Sequence, residues 1–404
     1  MEKYTVIIPT RDRAETLEAT LRTCLRQAYE NFEIIVSDNC SSDNTKDIVE
    51  RCSDPRLRYI NPGKRLSMSG NFEFALGHVA EGFVMFIGSD DGIMPDAIDY
   101  VDSIVKKYHV DAVSCAQATY VWPDFPDSAI AGRLTFGGLR NDVEIRQPRE
   151  WIEKTLNYRV HYCFDLPNLY CGFVHKRVID KAYKDGGYFR SITPDAYSAF
   201  ATAIFIDRYA FSHKPFSIAG ASVKSNGASA MHPAGSNAEA EKFYIENDIE
   251  FSKGFVNCPS YEVIVTEAFA KLAEAFPDLC EPYQIDYETM LGLALAHSNE
   301  KTEKAIKDAV ALMATNFGVT PTKTRRRTRN QLRRRNVPRT IYRVLSNLLL
   351  PRTIAIMKSS DVAVRNIDDA ALVAHVLSES RSSKTMFTTT RTLIREHLRQ
   401  RFGS

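Results

Sequence analysis

Residues 5–45 read TVIIPTRDRAETLEATLRTCLRQAYENFEIIVSDNCSSDNT, and residues 71–95 read NFEFALGHVAEGFVMFIGSDDGIMP. Three short apolar runs in these stretches, 5–8, 32–36 and 83–87, each end abruptly in polar residues: Pro9-Thr10-Arg11-Asp12-Arg13, Ser37-Asp38-Asn39 and Gly88-Ser89-Asp90-Asp91-Gly92. Runs so short and so uniformly apolar read as strands covered on both faces. Between the first two, residues 14–27 set Leu17, Leu21, Cys24 and Leu25 at helical spacing.

The alternation continues outward. Residues 57–60 and 112–115 read as further strands, and 47–51, 71–79 and 96–108 as helices, the first of them capped by Asp43, Asn44 or Thr45. Strand, helix, strand with short links gives parallel pairing through right-handed crossovers, so the expected fold is α/β with a doubly wound, mostly parallel sheet. From 120 to 149, Pro123, Pro126, Gly132, Gly137 and Gly138 predict a loop-rich insertion or small antiparallel elements. A strand over 169–174, a helix over 195–209 behind Pro194 and a Gly/Ser/Asn-rich loop over 220–236 follow. Apolar spacing then predicts helices over 239–251, 261–276, 287–297, 302–317 and 370–377, an all-helical C-terminal extension. The domain boundary is drawn near 236, giving a unit of 1–236 and a helical region of 237–404.

Composition narrows the class. The chain has 404 residues, 44% hydrophobic and 25% charged, the balance of an ordinary folded protein of two or three units. Its longest apolar runs fall well short of the roughly 18 residues that span a bilayer, and MEKYTVIIPTRDR is a poor export signal. The eight cysteines form no CxxC pair and no His-spaced zinc pattern, which predicts reduced thiols and a cytoplasmic protein. The formal charge is +2, but residues 309–360 hold twelve basic side chains and no acidic one, leaving 40 basic and 50 acidic elsewhere. A mildly acidic body thus carries a strongly basic segment.

Ligands of an open parallel sheet bind beyond the carboxyl ends of its strands, so the three polar strand ends should share one crevice. Adjacent Asp90 and Asp91 suit a hard divalent cation, whose shell a phosphate can complete, or they form a turn or helix cap ahead of Pro95. Asp38 can accept a hydrogen bond from a base or ribose, or close an Asx turn with Asn39. Neither GxGxxG nor GxxxxGK[ST] occurs, so phosphates must be held by other means, of which a metal is the obvious one.

With these motifs in place, the two quoted stretches resemble the family 2 glycosyltransferases of GT-A fold. The resemblance covers about residues 3–110, is fainter over 165–230 and is absent beyond. It implies that Pro9, Thr10 and Arg11, with Asp38, hold the nucleoside of a nucleoside-diphosphate sugar, and that Asn71 also belongs to the donor site. It equates Ser89-Asp90-Asp91 with the family's metal motif, Asp90 toward the ribose and diphosphate and Asp91 as the direct ligand of Mn²⁺ or Mg²⁺. The commonest version has another Asp where this chain has Gly88. Arg65 stands where a basic residue can reach base or phosphate, or is a solvated loop charge.

After a segment resembling YCGFVHKRVIDKAYKDGGYF (170–189), the family places a catalytic acid, usually within Glu-Asp, at a helix start. Here the dipeptide is Pro194-Asp195, which makes Asp195 the candidate base, with helix capping as the alternative role. His213, Lys224 and His232 are candidates for closing on the diphosphate, with Ser225-Asn226-Gly227 as a hinge. Trp122 and Trp151 are candidates for sugar stacking or for the core.

The implied reaction is an inverting, metal-dependent transfer to a glycan or lipid-linked acceptor in bacterial surface polysaccharide synthesis. The rivals are a sugar nucleotidyltransferase, for which RDRAETLEA lacks the glycines, and a non-enzymatic binding protein using the basic tail. In that tail the arginines of 325–335 precede Ile341, Val344, Leu345, Leu348 and Leu349 at helical spacing, so residues 323–358 predict docking on the inner membrane surface. Packing within a homo-oligomer is the alternative, and nucleic acid is not expected as a partner.

Overall fold

The computed structural model describes residues 1–128, 130–137, 141–160, 162–225, 243–320, 354–358 and 364–379. Strand β1 (Tyr4–Thr10) pairs in parallel with β2 (Phe32–Asp38), and β3 (Leu57–Ile60) adds in parallel to β2. On its other side β1 pairs in parallel with β4 (Phe83–Phe86). Helices α1 (Ala14–Leu25), α2 (Thr45–Arg51) and α3 (Met68–Leu76) make the crossovers. Neighbours on a strand face opposite ways, so Val6 and Ile8 enter one core and Ile7 the other. Both faces are covered, which is why the strand sequences are almost continuously apolar.

Beyond β4 the sheet becomes mixed. After the two-residue β5 (Gly92–Ile93) and α4 (Ala97–Tyr108), β6 (Ala112–Cys115) enters the main sheet, while β7 (Ala118–Val121) and β8 (Arg133–Gly137) form a hairpin outside it. The chain continues through β9 (Val143–Arg146), α5 (Pro148–Leu156), β10 (Phe173–His175) and α6 (Lys176–Lys181) to α7 (Pro194–Ile204), β11 (Tyr209–Ser212) and β12 (Ser217–Ala221). The main sheet has the order β3-β2-β1-β4-β10-β6-β11-β9. A second sheet, in which β12 runs between β7 and β5, packs where it can reach the end of β4.

Several boundaries differ from the sequence expectation; the strand expected over 169–174, for one, is confined to Phe173–His175. The helix expected over 195–209 stops at Ile204, and Tyr209 opens the fully buried strand β11; a short buried strand and a buried helix segment share the same apolar signature. Helix α3 starts three residues early because the Ser67 hydroxyl accepts the Gly70 N–H at 2.9 Å, a proper N-cap. Of the helix expected over 239–251, the described part holds one turn at 243–245 and no helix from 246. There Asn247 bonds both backbone groups of Ile249, a local competitor of helical pairing.

The C-terminal helices stand where apolar spacing places them: α8 (Tyr261–Ala275), the short α9 (Pro277–Cys280), α10 (Tyr287–His297) and α11 (Glu303–Asn316). Val263, Met290, Leu291, Val310 and Met313 form their common core. Helix α8 also belongs to the sheet domain, since Phe269 stacks edgewise on Phe200 of α7 with ring centroids 5.2 Å apart. Its first residue is thereby held near the start of α7.

Two later pieces return to the sheet domain. Strand β13 (Ile354–Lys358) runs antiparallel to β8, and α12 (Ile367–Glu379) sets Ile367, Ala370, Ala371 and Ala374 into the core that contains Leu17 and Leu21 of α1. Arg22 and Arg26 pair with Asp368 at 3.5 and 2.7 Å. At the other end of α12, Asp96, His375 and Glu379 converge closely enough to hold a cation. The Lys214 ammonium already sits among them, 3.6 Å from Asp96 and bonded to Glu379, so the cluster is an ion-pair clamp. The expected boundary at 236, the arginines of 325–335 and the stripe from Ile341 to Leu349 lie outside the described residues.

Candidate active site

The polar ends of β1, β2 and β4 meet in one crevice, Thr10 standing beside Asp38 in the sheet register. Asp90 and Asp91 follow β4 at 3% and 1% exposure. Asp91 Oδ2 accepts the Gly88 N–H at 2.6 Å and the Tyr170 hydroxyl, and its Oδ1 accepts the Gly220 N–H at 2.6 Å. Asp90 Oδ2 accepts the Ser222 hydroxyl at 2.7 Å and the Ser225 hydroxyl, while its Oδ1 lies 4.0 Å from Arg13 Nη1. Strand β12 therefore closes over the acidic pair. It can do so because residue 220 is glycine: a Cβ there would stand 1.8 Å from the Asp90 carbonyl oxygen.

Burial, and after it the Asp90 charge, push the Asp91 carboxyl well above the usual carboxylate range, against the pull of its three donors. Two adjacent buried carboxylates with oxygen-only chemistry fit a hard divalent cation, which would relieve that repulsion. A second sign of a ligand lies beside them. The buried hydroxyls of Thr10, at the end of β1, and Ser89, after β4, find no hydrogen-bond partner among the described residues, an uncommon state for buried polar atoms.

The other residues expected at the donor site have partners of their own. Asp38 accepts the Ser41 N–H at 2.9 Å, closing the local turn, and the Tyr59 hydroxyl at 2.6 Å. Asn39 exchanges two hydrogen bonds with the backbone of Leu66 and so fixes the loop that carries Arg65. Pro9 is half-buried opposite Ser37. Asn71 is buried inside α3, where it accepts the Ser37 hydroxyl at 2.9 Å, and thus braces the end of β2. Arg11 pairs with Glu246, and Arg65 lies 3.2 Å from Asp12 and 3.9 Å from the same Glu246. Sequence reading had no means of finding Glu246, which reaches the crevice from 235 residues away.

Asp195 stands in the first turn of α7, partly exposed, and its Oδ2 accepts the Tyr162 hydroxyl at 2.7 Å. Burial raises its pKa, and the Tyr162 hydrogen bond opposes that rise. The thiol of Cys171, a left-handed residue at φ 61°, is pushed up first by burial and then by charges that include both Asp91 and Asp195. One side chain thus lies within electrostatic reach of both acids.

The loop candidates separate. Ser225 joins Asp90, whereas Lys224 bonds the Asp12 carbonyl at 3.0 Å and Glu15 at 2.7 Å. His213 faces Glu144 at 3.4 Å. Asn226, Gly227 and His232 lie outside the described residues. Trp122 is buried and donates its indole N–H to the Asp90 carbonyl at 3.0 Å. Trp151 packs its ring against Arg146 and Lys154. All eight cysteines are free, and no helix among the described residues is long and apolar enough to cross a membrane.

Residues 5–160 match the family described as glycosyl transferase family 2. Over 101 residues the chain is 35% identical to GalNAc(5)-diNAcBac-PP-undecaprenol beta-1,3-glucosyltransferase of Campylobacter jejuni, covering 24% of this chain and 33% of that protein. Over 112 residues it is 29% identical to the Escherichia coli UDP-Glc:alpha-D-GlcNAc-diphosphoundecaprenol beta-1,3-glucosyltransferase WfgD, covering 27% of this chain and 44% of that protein. The matched stretch therefore spans less than half the length of either relative. Among solved structures, S. aureus TarS 1-349 in complex with UDP-GlcNAc superposes with a TM-score of 0.43 at 16% identity, covering 78% of this chain and 92% of that one. Residues 5–160 of this chain, which include the strand-end acids just described, are thus similar to glycosyl transferase family 2.

Proposed function

We propose that the protein transfers a sugar from a nucleoside-diphosphate sugar to a glycan or lipid-linked acceptor, with inversion at the anomeric carbon, in bacterial surface polysaccharide synthesis. The observation that carries this reading is the buried Asp90–Asp91 pair at the end of β4, flanked by the hydroxyls of Thr10 and Ser89, which find no partner among the described residues. The two relatives named above, whose own acceptors are diphosphoundecaprenol-linked saccharides, support the acceptor class.

In this reading Pro9, Thr10, Arg11, Asp38 and Arg65 hold the nucleotide, with Asn71 bracing the end of β2 beneath it. Asp90 turns toward the ribose and diphosphate, and Asp91, with Asp90, would hold Mn²⁺ or Mg²⁺. Such an ion, when bound, neutralises charge on a departing diphosphate. Asp195 accepts the proton of the acceptor hydroxyl as that oxygen forms its bond to the anomeric carbon. The bond from that carbon to the diphosphate breaks, its electron pair leaving with the nucleotide. A carboxyl whose pKa is raised by burial suits this work, because a base is most effective when its pKa approaches the working pH. The basic segment 323–358 docks the enzyme at the inner membrane surface, where a lipid-linked acceptor is found.

A thermal-shift panel of UDP, GDP, dTDP and CMP, with and without Mn²⁺, tests the core of this reading. A nucleotide at 100 times its dissociation constant adds about 2.7 kcal/mol of stability. Stabilisation by one diphosphate that depends on Mn²⁺ is expected. The absence of Mn²⁺-dependent stabilisation by every nucleotide overturns the proposal.

A further inference from the structure

The candidate base has aromatic company from two parts of the chain. The Tyr162 ring, whose hydroxyl bonds Asp195, lies 4.8 Å from the Phe164 ring and 5.8 Å from that of Tyr261, which meets it edge-on at 82°. Tyr261 is the first residue of α8, so it belongs to the C-terminal helical region, yet the stacking of Phe269 on Phe200 holds α8 against the helix that carries Asp195. Its hydroxyl pKa is raised by burial and then by the Asp195 charge. Tyr261 is nonetheless 45% exposed, one of few large apolar residues so open among the described residues.

We propose that the Tyr261 ring, bordered by the Tyr162 phenol, is the platform on which the acceptor's pyranose ring stacks while its hydroxyl faces Asp195. This rests on the reading of Asp195 as the base. A hydroxyl within hydrogen-bond reach of that carboxylate puts its own sugar ring within about one ring-width, and the aromatic pair occupies that distance. A pyranose has one face of C–H groups and a rim of hydroxyls. An aromatic face bordered by a carboxylate and a phenol matches both, whereas a wholly apolar lipid chain would leave the polar border without partners. Trp122 and Trp151, the aromatics that sequence alone brings forward for stacking, are occupied by Asp90 and Arg146. The helical region thereby contributes to acceptor recognition as well as to packing.

The test uses the full chain with saturating UDP and Mn²⁺ and, as probes, methyl glycosides of glucose, galactose and their N-acetylamino counterparts, read by saturation-transfer NMR titration. At least one probe should bind the wild type with saturation concentrated on its C–H face. Tyr261→Phe should keep that affinity, and Tyr261→Ala should lose about tenfold, the size of one aromatic contact, with the calorimetric affinity for UDP the same in all three proteins. Equal probe affinity in the Ala variant, or no probe bound by a wild type that binds UDP, overturns the platform. Failure of the wild type to bind any nucleotide overturns the donor-site reading instead, so the two outcomes are distinguishable.

Discussion

Tyr162 and Asp195, 33 positions apart, are joined by a 2.7 Å hydrogen bond in which the phenol donates to the carboxylate. The bond favours the charged acid while burial disfavours it, and burial is the larger influence, so the pKa of Asp195 ends above its ordinary value. Removing the phenol by Tyr162→Phe removes the opposing influence and lifts that pKa further. A hydrogen bond to a charged group contributes about 1.5–3 kcal/mol, so the acidic limb of the transfer rate should move up by roughly one pH unit or more. The pH profile of the variant beside the wild type decides this, and an unmoved limb means that Asp195 does not titrate in the reaction.

Asp91→Ala should cost both stability and binding. It leaves the Gly88 and Gly220 N–H groups and the Tyr170 hydroxyl without their acceptor in a site that is 1% exposed, at about 1–3 kcal/mol for each donor left unsatisfied. Asp91→Asn keeps one acceptor and should be less destabilised, while losing Mn²⁺-dependent affinity for UDP as fully. Calorimetry of both variants that returned wild-type Mn²⁺-dependent affinity would remove Asp91 from the metal site.

Gly220→Ala should separate β12 from the acidic pair. The added methyl meets the Asp90 carbonyl oxygen at 1.8 Å and the Trp122 indole nitrogen at 3.0 Å, and overpacking of this kind costs about 1–3 kcal/mol. A lower melting temperature and weaker UDP binding are expected together. An unchanged melting temperature would mean that β12 approaches the acids less closely than this contact requires.

Glu267 of α8 links the helical region to the loop ahead of α7, its carboxylate accepting the Ser191 hydroxyl at 2.7 Å and the Ser252 N–H at 3.1 Å. Burial raises its pKa above the ordinary 4.5, against the pull of those donors. A raised folded-state pKa means that folding favours the protonated form, so this group's contribution falls as pH rises from the unfolded value through the folded one. Glu267→Gln abolishes the titration. The melting temperature of the variant relative to wild type should therefore increase as the pH rises from about 4, and a difference independent of pH would contradict the assignment.

Much of the domain is legible in its local chemistry. The apolar runs, their polar ends and the helical spacing between them determine a doubly wound sheet whose first strand ends converge, because strand periodicity and short crossovers admit few alternatives. The same reading reaches Asp90, Asp91 and Asp38, since an acid at the end of an apolar strand stands out from its neighbours, whereas Asp195 came forward through the family resemblance. Tertiary structure alone decided what surrounds them. Nothing in the spacing of Tyr162, Tyr170, Tyr261 or Glu246 marks them, because each acts through a partner 33 to 235 residues away and tyrosine and glutamate are common surface residues. The antiparallel insertion of β10 between β4 and β6, and the buried strand at Tyr209 between β6 and β9, were likewise set by long-range pairing. The return of α12 onto α1 was set by apolar surface that only packing could cover, a long-range choice that no local window records.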